Sequence, residues 1–176
     1  MKLVYSISGK IWWIHNFLPP DLYAGVHKAI IRERKALNLK TVEGLWGDDL
    51  IKNLTPPLRT EVKKYKPFEE IVSLIKNNPF HSFNVKEIST IIHLLKKDSG
   101  IQWHDDGKWK YGATLYLNHR WNKRWGGEFM FTDVNGHGFL PYVGNSLVLV
   151  KSPLPHKVNT VLSPVIPRMT IQLFMK

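Results

Sequence analysis

Gly144-Asn145-Ser146-Leu147-Val148-Leu149-Val150-Lys151-Ser152-Pro153-Leu154-Pro155-His156-Lys157-Val158 is an apolar run, a proline break, and a histidine at the mouth of a second extended run. A run this short, rich in valine and leucine and closed by Pro153 and Pro155, reads as a strand. The same pattern recurs through the second half of the chain. Strand-like runs cover Glu87 to Leu95, Trp109 to Leu117, Glu128 to Thr132, Ser146 to Val150, Lys157 to Leu162 and Arg168 to Met175. Between them lie Asp98-Ser99-Gly100, Gly126-Gly127, Asn135-Gly136 and the Pro164/Pro167 pair, all turn chemistry. Many short strands at regular spacing favour an antiparallel sandwich or jelly roll over a parallel α/β sheet.

The first half reads as a supporting layer. Lys10 to Phe17 has the aromatic and β-branched content of a strand, and Pro19-Pro20-Asp21 then opens a helix. Leu22, Val26, Ala29, Ile30 and Leu37 carry the helical spacing. Thr55-Pro56 signals a second helix running to Tyr65, and Pro67 to Ile75 a third, ended by Asn77-Asn78-Pro79. The expectation is one domain over 1–176, mainly β with an α+β character. Residues 1–87 would form the helix and strand support, and 88–176 a double-stranded β-helix, or jelly-roll, core.

Composition narrows the chemistry. With 43% hydrophobic and 12% aromatic residues, the 176-residue chain is that of a folded globular protein. It has no cysteine, which removes disulfides, thiolate metal sites and cysteine nucleophiles together. No apolar run approaches membrane-spanning length, and Met1 to Ser6 has no secretory pattern, so a cytoplasmic protein without a membrane partner is expected. A Gly-x-Ser-x-Gly elbow is absent, which disfavours a serine hydrolase. The net charge of +11 suits either a solubilising surface or attraction to an anionic partner.

Candidate metal ligands are His104, Asp106 and His156. In an extended segment alternate residues point the same way, so His104 and Asp106 can share an ion while Asp105 faces elsewhere. A lone His-x-Asp arises by chance, so the third ligand must come from a strand distant in sequence but adjacent in a barrel. His156 meets that condition. Two histidines and one carboxylate with open positions form the ligand set of non-haem iron oxygenases. The remaining histidines have plainer readings: His15 and His93 as ordinary strand residues, His27 on a helix, His81 after a turn, His119 in a charged loop, His137 at a hairpin tip.

With these residues placed, the chain from about Ile88 to Lys176 resembles the Fe(II)- and 2-oxoglutarate-dependent dioxygenases, most closely the prolyl 4-hydroxylase-like branch. The resemblance runs through Gly100 to Asp106, Ala113 to Asn118, Trp125 to Phe129, Gly144 to Leu149, Pro155 to Val158 and Arg168-Met169-Thr170. It implies iron ligands at His104, Asp106 and His156. It implies Arg168 as the partner of the co-substrate's far carboxylate, with Thr170 and Tyr116 assisting, and Phe129 and Val158 as apolar lining. The activity implied is hydroxylation of an unactivated C–H bond, that of a peptidyl proline first. Fe(II), 2-oxoglutarate and O2 would be consumed or held, with ascorbate supportive, and succinate and CO2 released.

Three departures or retentions qualify the resemblance. A tyrosine common in the family before Gly100 is missing from Leu95-Lys96-Lys97-Asp98. Phe174 stands where nucleic-acid demethylases of the superfamily carry a second arginine, so nucleic acid is not the favoured partner despite the charge. Asp106 is retained, unlike in halogenating relatives. The competing readings are the same chemistry on a free amino acid or other small molecule, and a basic jelly-roll binding module without catalysis. Candidate entrance loops are Thr41 to Asn53, with Trp46, and His119 to Arg124, with Arg120 and Trp121.

Overall fold

Two antiparallel sheets wrap around a shared interior in the computed structural model, which describes residues 1–7, 9–32, 39–41, 48–61, 66–80 and 85–176. In chain order the elements are β1 (Lys2–Ile7), β2 (Ile11–His15), α1 (Pro20–Arg32), β3 (Lys40–Thr41), α2 (Asp48–Ile51), β4 (Leu58–Glu61), α3 (Lys66–Lys76), β5 (Ile88–Leu95), β6 (Ile101–His104), β7 (Tyr111–Tyr116), β8 (Phe129–Asp133), β9 (Gly136–Leu140), β10 (Ser146–Lys151), β11 (His156–Val158) and β12 (Arg168–Met175). The larger sheet runs β1-β2-β10-β7-β12-β5-β4-β3, and the smaller runs β6-β11-β8-β9. This is the expected jelly roll.

The strand β12 shows why the sheet is covered on both faces. Met169, Ile171, Leu173 and Met175 join the core under α1 and α3. Arg168, Thr170, Gln172 and Phe174 alternate with them and point into the barrel, as the period of two requires. The helical side is built from Tyr23, Val26 and Ile30 of α1 and Phe68, Ile71 and Ile75 of α3, each set spaced for one helix face. The barrel interior is filled by Ile11, Tyr116, Val148 and Val150 of the larger sheet against Phe129, Phe131 and Leu140 of the smaller.

The first half contributes more strand than its sequence announces. Thr55-Pro56 does not start a helix; Leu58–Glu61 is β4, paired antiparallel with β5 from Leu58↔Leu94 to Glu61↔Ile91. Leu58 packs on the helical core, so the gain from completing the sheet beside β5 outweighs a local helix-start signal. The tail of that expected helix, 62–65, lies outside the described residues, as do 33–38 at the expected end of α1. β1 was not anticipated either: as an edge strand with largely exposed residues it has no core-facing alternation to read.

One tyrosine ties the central strands together. The Tyr142 hydroxyl accepts from Leu117 N (3.1 Å) and Asn118 N (2.9 Å), with Asn118 Oδ1 (2.5 Å) and Met169 O (2.8 Å) in reach of its proton. Asn118 Oδ1 also accepts from Met169 N at 2.8 Å, and its amide donates to Pro167 O at 3.0 Å. The start of β12 is thereby fixed to the end of β7. Removing the hydroxyl leaves buried backbone groups short of partners, so Tyr142→Phe should lower the unfolding free energy by about 1–3 kcal/mol in urea titration.

Candidate active site

β6 and β11 are adjacent antiparallel strands, and their register sets His156 directly opposite His104. Asp106 follows β6 by two residues, its carbonyl held by Trp109 N at 2.7 Å. Asp106 Oδ1 lies 4.0 Å from His104 Nε2, and Oδ2 lies 3.8 Å from His156 Nε2. One ligand atom from each of the three residues falls within 4.8 Å of the others, a spacing that suits a common ion. Asp105 turns away as expected and accepts from Gly107 N at 2.8 Å.

Both imidazoles are oriented for metal. His104 Nδ1 sits 2.7 Å from Gln102 O, and His156 Nδ1 sits 2.8 Å from Leu154 O. A carbonyl oxygen only accepts, so each Nδ1 carries the proton and each Nε2 keeps a lone pair toward the shared point. Burial, reinforced by neighbouring His104, lowers the pKa of His156, and Asp106 opposes this in part; the neutral, ligating form is favoured. Space for the carboxylate is provided by Gly112, where a Cβ would lie 2.5 Å from Asp106 Oδ2.

Deeper in the barrel, Arg168 is fully buried. Its Nε donates to Gly127 O at 2.9 Å, while Nη1 and Nη2 have no hydrogen-bond partner among the described residues. The guanidinium lies 5.1 Å from the Tyr116 ring centroid and 5.6 Å from that of Tyr142. Thr170 Oγ1 is likewise buried without a partner among the described residues, and the buried Tyr116 hydroxyl faces the guanidinium. Register pairs Thr170 with Tyr116 across β12 and β7, so the two hydroxyls share one side of the sheet. Burial raises the Tyr116 pKa, against the pull of the nearby Arg168 charge, which leaves the phenol a hydrogen-bond donor. A buried cation with two donor hydroxyls beside it is a receptor for a carboxylate.

The Gly126-Gly127 turn, read from sequence only as a separator, has a sharper task. Gly127 has φ +75° and a Cβ there would lie 2.9 Å from Arg168 Cδ. Only glycine allows both the turn and the close approach. Sequence reasoning also undervalued His93, which is buried as an ordinary strand residue would be but lines the same cavity as His104, Asp106 and His156. Its place follows from pairing opposite Thr170 across β5 and β12, which the sequence does not announce. Phe129 and Val158 line that cavity too. Of the entrance-loop candidates, Trp121 caps the core, stacking on Tyr142 at 4.7 Å and donating to Gly126 O at 2.9 Å. Arg120 borders a cleft against α1, on the opposite face of the larger sheet from the metal cluster. Trp46 lies outside the described residues.

Comparison with known proteins agrees with this geometry. Residues 90–176 match the model of the 2OG-Fe(II) oxygenase superfamily. The chain belongs to that superfamily. The oxygenase fold is shared with a Pseudomonas putida prolyl-4-hydroxylase at TM-score 0.76 and 16% identity, over 95% of this chain and 92% of that one. A Trichoplax adhaerens prolyl hydroxylase in complex with a hypoxia inducible factor peptide fragment gives TM-score 0.76 and 16% identity, over 96% and 84%. A Burkholderia pseudomallei oxidoreductase of the 2OG-Fe(II) oxygenase family gives 0.71 and 14%, over 96% and 86%. Comparison with curated protein sequences gives no match. The oxygenase is a 2-oxoglutarate-dependent oxidoreductase whose cofactors are Fe(II) and 2-oxoglutarate. No helix among the described residues is long and apolar enough to cross a membrane.

His93 gives this oxygenase an acid-sensitive core. Burial first, then the charges of Arg59 and Arg168, push its pKa from 6.5 down to about 3. The unfolded chain therefore binds a proton that the folded chain refuses, and stability present above pH 6.5 is lost as pH falls toward 3. Urea unfolding between pH 4 and 7 should show a His93 contribution approaching about 1.4 kcal/mol per pH unit below 6.5. His93→Gln should remove that share of the slope.

Proposed function

We propose that the chain hydroxylates a prolyl side chain in a peptide or protein, with iron(II) held by His104, Asp106 and His156 and 2-oxoglutarate anchored by Arg168. The observation that carries the proposal is the fully buried Arg168 guanidinium, which has no carboxylate bonded to it among the described residues. A cation buried this fully is costly without a bonded counter-charge, and a dicarboxylate entering the barrel would supply one. Peptide as the substrate class is supported by the peptide-bound Trichoplax relative, which shares the fold across nearly the whole chain.

Bound together, iron(II), 2-oxoglutarate and dioxygen supply an oxidant able to attack an unactivated C–H bond, releasing succinate and carbon dioxide. The chain's own residues do the positioning. Arg168 would grip the far carboxylate of 2-oxoglutarate through its planar fork, with Thr170 and Tyr116 as hydroxyl donors to the same group. Gln102 O and Leu154 O hold the imidazoles in the ligating tautomer. Phe129 and Val158 wall the cavity with apolar surface and keep water from the reacting atoms.

His104→Ala or Asp106→Ala should abolish succinate release in the presence of iron(II), ascorbate and 2-oxoglutarate. Arg168→Ala should instead raise the 2-oxoglutarate requirement about a hundredfold, the scale for truncating a buried charge pair. An unchanged requirement would refute the anchor. Mass spectrometry of proline-containing peptides after incubation should show the gain of one oxygen. A broad peptide library with no gain would move the substrate to a free amino acid or other small molecule.

A further inference from the structure

The inner face of the larger sheet carries a second arginine that the proposed chemistry does not use. Register aligns one transverse row across four strands: Arg59 on β4 opposite His93, His93 opposite Thr170, and Thr170 opposite Tyr116. Directly opposed residues project to the same side of a sheet. Arg59 therefore shares the face of the co-substrate hydroxyls, while its neighbour Leu58 packs on the helical core behind. Glu61 lies two positions along, on the same inner side.

Arg59 and Glu61 line an open cleft of about 520 Å³ that also reaches His104, Asp105, Asp106 and Trp109. The Arg59 side chain is only 17% exposed. Its ion pair with Glu61 runs from Nη2 to Oε1 at 3.5 Å, and the Glu61 side chain is 47% exposed. A guanidinium offers five donors in a fixed fork, and among the described residues Arg59 makes only one loose contact, to a half-exposed carboxylate. This cation opens into the cleft that His104 and Asp106 also line, whereas Arg168 lies sealed inside the barrel. Lys108 lines the same cleft, with Glu61, Asp105 and Asp106 as its acidic groups, in a chain of net charge +11.

We propose that Arg59 reads the substrate: it takes a carboxylate borne by the molecule that is oxidised, and Glu61 holds its place until that carboxylate arrives. The inference rests on the assignment of His104, Asp106 and His156 as the metal centre. The carboxylate has two sources, the α-carboxylate of a free amino acid or an acidic side chain flanking the target in a peptide.

Calorimetric titration of the purified protein separates these outcomes without turnover. The probes are two acid and amide pairs: a proline peptide flanked by Glu against the same peptide flanked by Gln, and L-proline against L-prolinamide. The wild type should bind the acid of one pair about tenfold more tightly than its amide, the scale of a charge-assisted contact. The pair that shows the preference names the source. Arg59→Gln should reduce the preference to about twofold or less. Glu61→Gln, which leaves Arg59 in place and frees its fork, should tighten acid binding severalfold, and this variant decides the matter if Arg59→Gln does not fold. Neither pair showing an acid preference, or Arg59→Gln keeping it with an unchanged melting temperature, overturns the proposal. Titration of 2-oxoglutarate into the same samples and into Arg168→Ala tests the co-substrate anchor separately, so the two failures are distinguishable.

Discussion

The fully buried positive charge of Arg168 sets the terms for the rest of this fold. Arg168 is held by Gly127 O on one side and by the faces of Tyr116 and Tyr142 on the other. Tyr142 is in turn bound into the backbone of β7 and β12 through Asn118. The strands cannot shift without moving the guanidinium, and the guanidinium cannot leave without crossing a packed interior. Such an arrangement suits an anion, and in the proposed reading the two hydroxyls beside it would help to hold that anion.

Sheet register distributes the functional groups. The smaller sheet brings His104 and His156 together by direct pairing, and the larger sheet lines up Tyr116, Thr170, His93 and Arg59. The interior is then graded: an enclosed cationic end, a neutral imidazole in the middle, and the metal cluster toward an open cleft. Small residues make the grading fit. Gly127 admits the Arg168 side chain and Gly112 admits the Asp106 carboxylate. These contacts are between strands far apart in sequence, which is why the site needs the whole sheet.

Much of this was legible in the chain itself. Arg168 to Met175 read as a strand with the bounds the structure gives it, because its two faces are both buried and its ends are marked by Pro167 and the turn before it. His104 and Asp106 were paired by parity, and His156 by its place at the mouth of a strand. The misreadings have physical reasons. Leu58–Glu61 carries a helix-start signal and becomes a strand only because β5 offers an edge to pair with. β9 (Gly136–Leu140) has mostly exposed side chains and takes its order from the hairpin with β8. His93 sits in an apolar run, and nothing local says which of its two faces looks at the metal cluster. The spatial duties of Gly112 and Gly127 depend on side chains from other strands and leave no trace in their own neighbourhoods.

The carbonyls that hold the imidazoles belong to residues two positions upstream in the chain, Gln102 within β6 and Leu154 just before β11. Each ring is thus steadied by its own stretch of backbone rather than by the ion or by its opposite number. With iron held there as proposed, removing it would leave the donors still aimed, a socket kept in shape by the backbone alone.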